Sequence, residues 1–156
     1  MATVELLRWL HVIGAAVLLG TGAGIAFFMV MAHRTGDATF IAGTARTVIL
    51  ADWLFTMSAV LAQPATGYLL AQQIGWPLFE GWIAWSLTLY VMVGLFWLPV
   101  VWMQHRMHRL AAEAARKGSD LPAAYHRMFR LWFLCGIPAF VGVLAIFWLM
   151  LNKPGL

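Results

Sequence analysis

Apolar residues run almost unbroken through four stretches, about 6–32, 48–72, 82–103 and 129–151, and polar residues collect between them. Each stretch reaches the ~20 residues that an α-helix needs to cross ~30 Å of hydrocarbon at ~1.5 Å per residue. None shows the alternation over about ten residues that marks a strand of a membrane barrel. Only helices and closed barrels pair all their backbone groups in lipid, so the pattern predicts an all-α polytopic membrane protein. The expected architecture is a four-transmembrane-helix bundle in a single domain, residues 1–156, with connecting loops at about 33–47 and 104–128. Met103–Lys117 is expected to prolong the third helix towards Gly118-Ser119-Asp120, and Pro122 to open a new helix through Tyr125-His126-Arg127. The first stretch is too long for a signal peptide and lacks a small-residue cleavage site, so it reads as a retained helix.

Charge then orients the bundle. The chain is 63% hydrophobic and 10% charged, and eight of its ten Lys and Arg residues fall in 33–50 or 104–130. By the positive-inside rule both basic segments are cytoplasmic and both termini face outward. Tryptophans gather at membrane interfaces and give an independent reading. Trp9, Trp76, Trp82, Trp85 and Trp148 fall near the outer face, and Trp53, Trp102 and Trp132 near the inner one. The net charge of +4 thus reads as an orientation signal beside anionic lipid, with no nucleic-acid partner implied. The single cysteine, Cys135, allows no intrachain disulfide.

Against this apolar background, the polar residues inside the spans are the candidates for chemistry, because an unpartnered polar group is costly in lipid. His11 heads one side of the first helix, above Ala15, Gly22, Ala26 and His33, with Gly20-Thr21-Gly22-Ala23-Gly24 deepening the groove. Two readings stay open: close helix packing over small residues, or room for a flat cofactor such as haem with His11 as axial ligand. The second span carries Asp52, Thr56, Gln63 and Thr66 on roughly one face. Pairing of Asp52 with Arg46, Arg130 or Arg34 would suffice to explain it. Gln63 either fixes the His11 ring, as groups behind metal ligands do, or bonds a carbonyl freed by Pro64. His33, His105, His108 and His126 lie towards the inner side, and the spacing of His105 and His108 would let them share a metal. No phosphate loop, nucleophile elbow or cysteine pair is present.

Several of these stretches resemble a bacterial family of predicted integral membrane proteins. They include His11-Val12-Ile13-Gly14, Gly20 through Met29, Ala32-His33-Arg34-Thr35-Gly36-Asp37, Ala51-Asp52-Trp53-Leu54-Phe55-Thr56, Gln63-Pro64-Ala65-Thr66-Gly67 and Phe129-Arg130-Leu131-Trp132-Phe133. The resemblance covers nearly the whole chain and implies a bacterial inner-membrane location. More distantly, Leu10-His11, Ala32-His33 and Asn152-Lys153-Pro154 resemble the bacterial membrane protoporphyrinogen oxidase of the HemJ type. That likeness implies a haem b on His11. The oxidase's Trp-Leu-His-x-Lys is replaced by Trp82-Ile83-Ala84-Trp85-Ser86, and Ala84 and Ser86 can neither ligate iron nor act as a base. Protoporphyrinogen oxidation is therefore not expected.

Three partners for the iron opposite His11 follow: an open position, a soft ligand such as Met150, or His11 of a second subunit in a homo-oligomer. The leading expectation is a haem b-binding membrane protein with an electron-transfer or redox role towards a quinone or other redox partner. Its cofactor residues would be His11, Gly22, Gln63 and Met150. Metal handling or transport, through Asp52, Gln63 and His11 or the inner histidines, is the rival. A structural subunit of a membrane complex is the third reading.

Overall fold

The computed structural model describes residues 2–155, all of its regular elements among them being helical. Helix α1 spans Ala2–Thr35, α2 Ala38–Ala51, α3 Met57–Ile74, α4 Gly81–Lys117 and α5 Ala123–Asn152. A π-helical turn, Asp52–Thr56, fuses α2 to α3 into one continuous rod. Four helices long and apolar enough to cross a membrane result: Thr3–Thr35, Ala38–Ile74, Gly81–Lys117 and Ala123–Asn152. Four crossings put both chain ends on one side of the bilayer, here the terminal end. The α1–α2 and α4–α5 turns share the opposite, basic end.

The two basic segments are far more helical than their polarity suggests. The 33–47 connection reduces to Gly36-Asp37, because Asp37 caps α2 by accepting the Thr39 and Phe40 amides at 2.7 and 3.2 Å. Gly36 takes the turn with φ at 68°, a conformation that costs glycine nothing. Likewise only Gly118–Pro122 separates α4 from α5. At ~1.5 Å per residue α4 is about 55 Å long, well beyond ~30 Å of hydrocarbon, so its last turns project past the basic face.

That projection explains where the core sits. Met29, Ala32, Ile41, Ala45, Met103, Met107, Ala111, Tyr125, Phe129 and Trp132 form a buried cluster at the basic end, where α2 packs on α4. Nearer the termini, large apolar side chains such as Val12, Leu61, Val91 and Val141 point outward. In lipid such exposure is not penalised, so helix association there rests on close fit and hydrogen bonds. Accordingly the bundle divides into two hairpins, α1 along α3 and α4 along α5. Gly142 makes the second possible, since a Cβ there would lie 2.6 Å from Val93 Cγ2. The hairpins are tied by one polar contact near the terminal half: the Tyr90 hydroxyl donates to the Val60 carbonyl. Pro64 has no N–H to offer that carbonyl, so Tyr90 supplies the donor that the proline removed.

Candidate functional site

Two polar places lie inside the membrane-spanning part. The first is the seam of α1 and α3. His11 Nδ1 lies 2.8 Å from Thr66 Oγ1, and Thr66 Oγ1 donates to the Ala62 carbonyl at 2.7 Å. With its only hydrogen used, the hydroxyl accepts from Nδ1–H, which leaves Nε2 as the unprotonated nitrogen of His11. The Gln63 side chain bonds the backbone of His11 and not its ring: Nε2 donates to the His11 carbonyl at 2.8 Å, while the Gln63 main chain lies beside the ring. Each side chain enters a notch on the opposite helix. A Cβ on Gly14 would stand 2.5 Å from Gln63 Nε2, and one on Gly67 would stand 3.2 Å from His11 Cε1. The glycines that close this seam are therefore Gly14 and Gly67. A Cβ on Gly20, Gly22 or Gly24 would meet nothing within 4 Å, so those three do not serve close packing.

The second place is a chamber of about 420 Å³ between the hairpins, within the size range of small-molecule sites, about 300–1,000 Å³. Leu18, Gly22 and Ala26 of α1 form one wall, and Trp97, Val100 and Gln104 of α4 another. Trp132, Phe133, Gly136 and Phe140 of α5 complete it. Phe133 and Phe140 line the chamber and yet stay exposed, so its α5 side is open. The π-helical turn delivers Asp52 and Thr56 to its wall. Such a turn shifts the helix register, and here it lets α2–α3 aim Asp52 and Thr56 at the chamber while Gln63 and Thr66 meet α1.

Asp52 is 5% exposed and has no cation within ion-pair distance; the one ion pair among the described residues is Lys117–Glu113 on the surface of α4. The expected pairing with Arg46, Arg130 or Arg34 is absent, all three arginines being exposed. Their guanidinium groups stay in polar surroundings, which avoids the desolvation that a buried pair would cost. Thr56 and Trp97 stand beside the Asp52 carboxylate, and His105 lies within its electrostatic reach. Gln104 Oε1 and Trp132 Nε1 are buried in the chamber lining without a hydrogen-bond partner, and Thr56 Oγ1 has only the neighbouring Asp52 carboxylate beside it. Buried polar atoms are nearly always satisfied, so two orphans in the lining that also carries a buried carboxylate mark a site.

A family profile described as "Predicted integral membrane protein (DUF2269)" matches residues 5–154. The chain belongs to this family. No curated protein and no solved structure matches the chain. The likeness to the membrane protoporphyrinogen oxidase accordingly rests on the quoted residues alone. For this DUF2269 member the structure brings Gln63 against His11 and sets Gly22 apart from both. Gly22 lies on the chamber wall, about 16 Å along α1 from His11 at ~1.5 Å per residue. Gln63 is spent on the His11 carbonyl, and Met150 is half-buried in the last turns of α5. His11 offers a single imidazole nitrogen, and no histidine lines the chamber.

The inner histidines fall in two places. His33 stacks on Phe129 with ring centroids 3.6 Å apart and meets His126 edge-on at 5.7 Å. His105 bonds the Val101 carbonyl of its own helix through Nδ1, at 2.9 Å. Among the described residues no three His, Cys, Asp or Glu side chains converge in a way that could hold a metal ion. Sequence reasoning missed Gln104, Trp97 and Trp132 as site residues. Their signal was present in part: Trp97, Val100 and Gln104 repeat at helical spacing on one face of α4.

Proposed function

We propose that this family member is a multi-pass protein of the bacterial inner membrane, with its basic end in the cytoplasm, that takes a small amphipathic molecule from the bilayer into the chamber between its hairpins. It would act in binding or transport. The observation that carries this reading is Asp52: a buried carboxylate without a cation, on the wall of a chamber that opens to lipid. An ionisable residue inside a membrane is expensive, and its usual justification is a ligand or ion path.

Fluorescence quenching tests it. Trp97 and Trp132 line the chamber, so a brominated long-chain alcohol should quench purified protein in a saturable manner. Ala26→Phe fills the wall and should abolish the saturable component while leaving helical content unchanged. Identical, non-saturating quenching of both proteins would sink the proposal.

A second reading keeps a haem b on His11, with redox exchange towards a quinone. One feature favours it: Thr66 holds Nδ1, which leaves Nε2 directed away from the seam bond, as in histidines oriented for metal. Bound there, the haem would supply electron transfer, and Thr66 would fix the tautomer of its ligand. Haem-supplemented, detergent-purified protein should then show a Soret band that His11→Ala removes; a colourless protein rejects this reading.

A further inference from the structure

We infer that the chamber selects a lipophilic organic cation, such as a hydrophobic amine, and seats its charge at the Asp52 carboxylate. This rests on the chamber being a ligand site and adds the ligand's chemistry.

The argument begins with charge balance. A carboxylate in a low-dielectric environment needs a counter-charge or strong donors. The donors beside Asp52, Thr56 and Trp97, are neutral, and no Lys, Arg or His nitrogen within the described residues pairs with it. The arginines that could have reached it stay exposed at the basic end. A ligand cation would complete a pair for which the protein provides only one half.

The surrounding atoms match that charge. Gln104 Oε1, without a partner, and Thr56 Oγ1, whose lone pairs stay free even with its hydrogen turned to Asp52, are oxygens that can accept from an ammonium group, which is all donor. The residues carrying them are 1% and 5% exposed, and both line the chamber with Asp52. The rest of the wall is apolar and aromatic, with Trp97, Trp132, Phe133 and Phe140. Indole and phenyl faces carry negative potential and attract cations, while also holding an apolar body. An anion would find one unpartnered donor, Trp132 Nε1, against the carboxylate and the Gln104 and Thr56 oxygens. A bare divalent metal would lack converging ligands, since no three His, Cys, Asp or Glu side chains gather among the described residues.

The experiment compares two probes of similar shape, tetraphenylphosphonium and neutral triphenylphosphine oxide, by equilibrium binding to the full chain in detergent. The cation should bind wild-type protein at least tenfold more tightly than the neutral probe. Asp52→Asn should erase that preference and leave neutral binding within twofold, and Asp52→Glu should retain it. Equal binding of the two probes by wild-type protein would overturn the charge inference and leave the chamber intact. So would an unchanged preference in Asp52→Asn. If neither probe binds, or if Ala26→Phe binds both as wild type does, the chamber reading falls with it. The wild-type ratio needs no variant, so a misfolded Asp52→Asn would not rescue the inference.

Discussion

Gln63 of α3 reaches across to the carbonyl of His11 on α1, and Gly14 is what lets it: a Cβ on Gly14 would lie 2.5 Å from the Gln63 amide nitrogen. In lipid a helix pair gains nothing from burying apolar surface, so such notched polar contacts carry the association.

Gly14→Ala should therefore displace the Gln63 amide and lower stability by about 1–3 kcal/mol, the usual range for overpacking. Gln63→Ala should cost less, about 0.5–1 kcal/mol, as expected for one interhelical hydrogen bond in a membrane. The double variant should fall well short of the sum, because both changes remove the same contact. Thermal unfolding in detergent would measure all three, and strict additivity would contradict the geometry.

Tyr90 and Pro64 offer a second cycle. Tyr90→Phe leaves the Val60 carbonyl without a donor and should destabilise by about 1 kcal/mol. Pro64→Ala restores an N–H four residues after Val60, so in that background the loss of the Tyr90 hydroxyl should cost little. An equal penalty in both backgrounds would show that Tyr90 does not serve the proline's orphan carbonyl.

The glycines should separate by position. Alanine at Gly142 would press on Val93 at 2.6 Å, whereas alanine at Gly20, Gly22 or Gly24 would meet open space. Melting temperatures should drop for Gly142→Ala and stay within error, or rise slightly, for the other three, since alanine is the better helix former. A drop at Gly22 equal to that at Gly142 would mean that α1 packs more closely there.

Orientation is testable with thiols. In a Cys135→Ala background, Ser119→Cys should react with a membrane-impermeant maleimide only after the cytoplasmic side is exposed, and Asn152→Cys should react from outside. The reverse pattern would invert the bundle and require a different account of its basic segments.

The four crossings, the placement of the basic residues at one end and the helical break at Gly118 were all determined by the sequence itself, whereas the 33–47 connection proved helical from Ala38. Hydropathy and turn chemistry are local, and they sum along the chain without reference to neighbours. The partners of the polar residues were not legible in this way. His11 bonds Thr66 through its ring and Gln63 through its carbonyl. Asp52 faces a chamber instead of an arginine. The glycine-rich run of α1 borders that chamber instead of closing a seam. These outcomes depend on how each helix is rotated about its axis, and the π-helical turn at Asp52–Thr56 resets that rotation partway along the second span. Only the packed tertiary structure decided which polar side chains found partners within the chain and which were left without one.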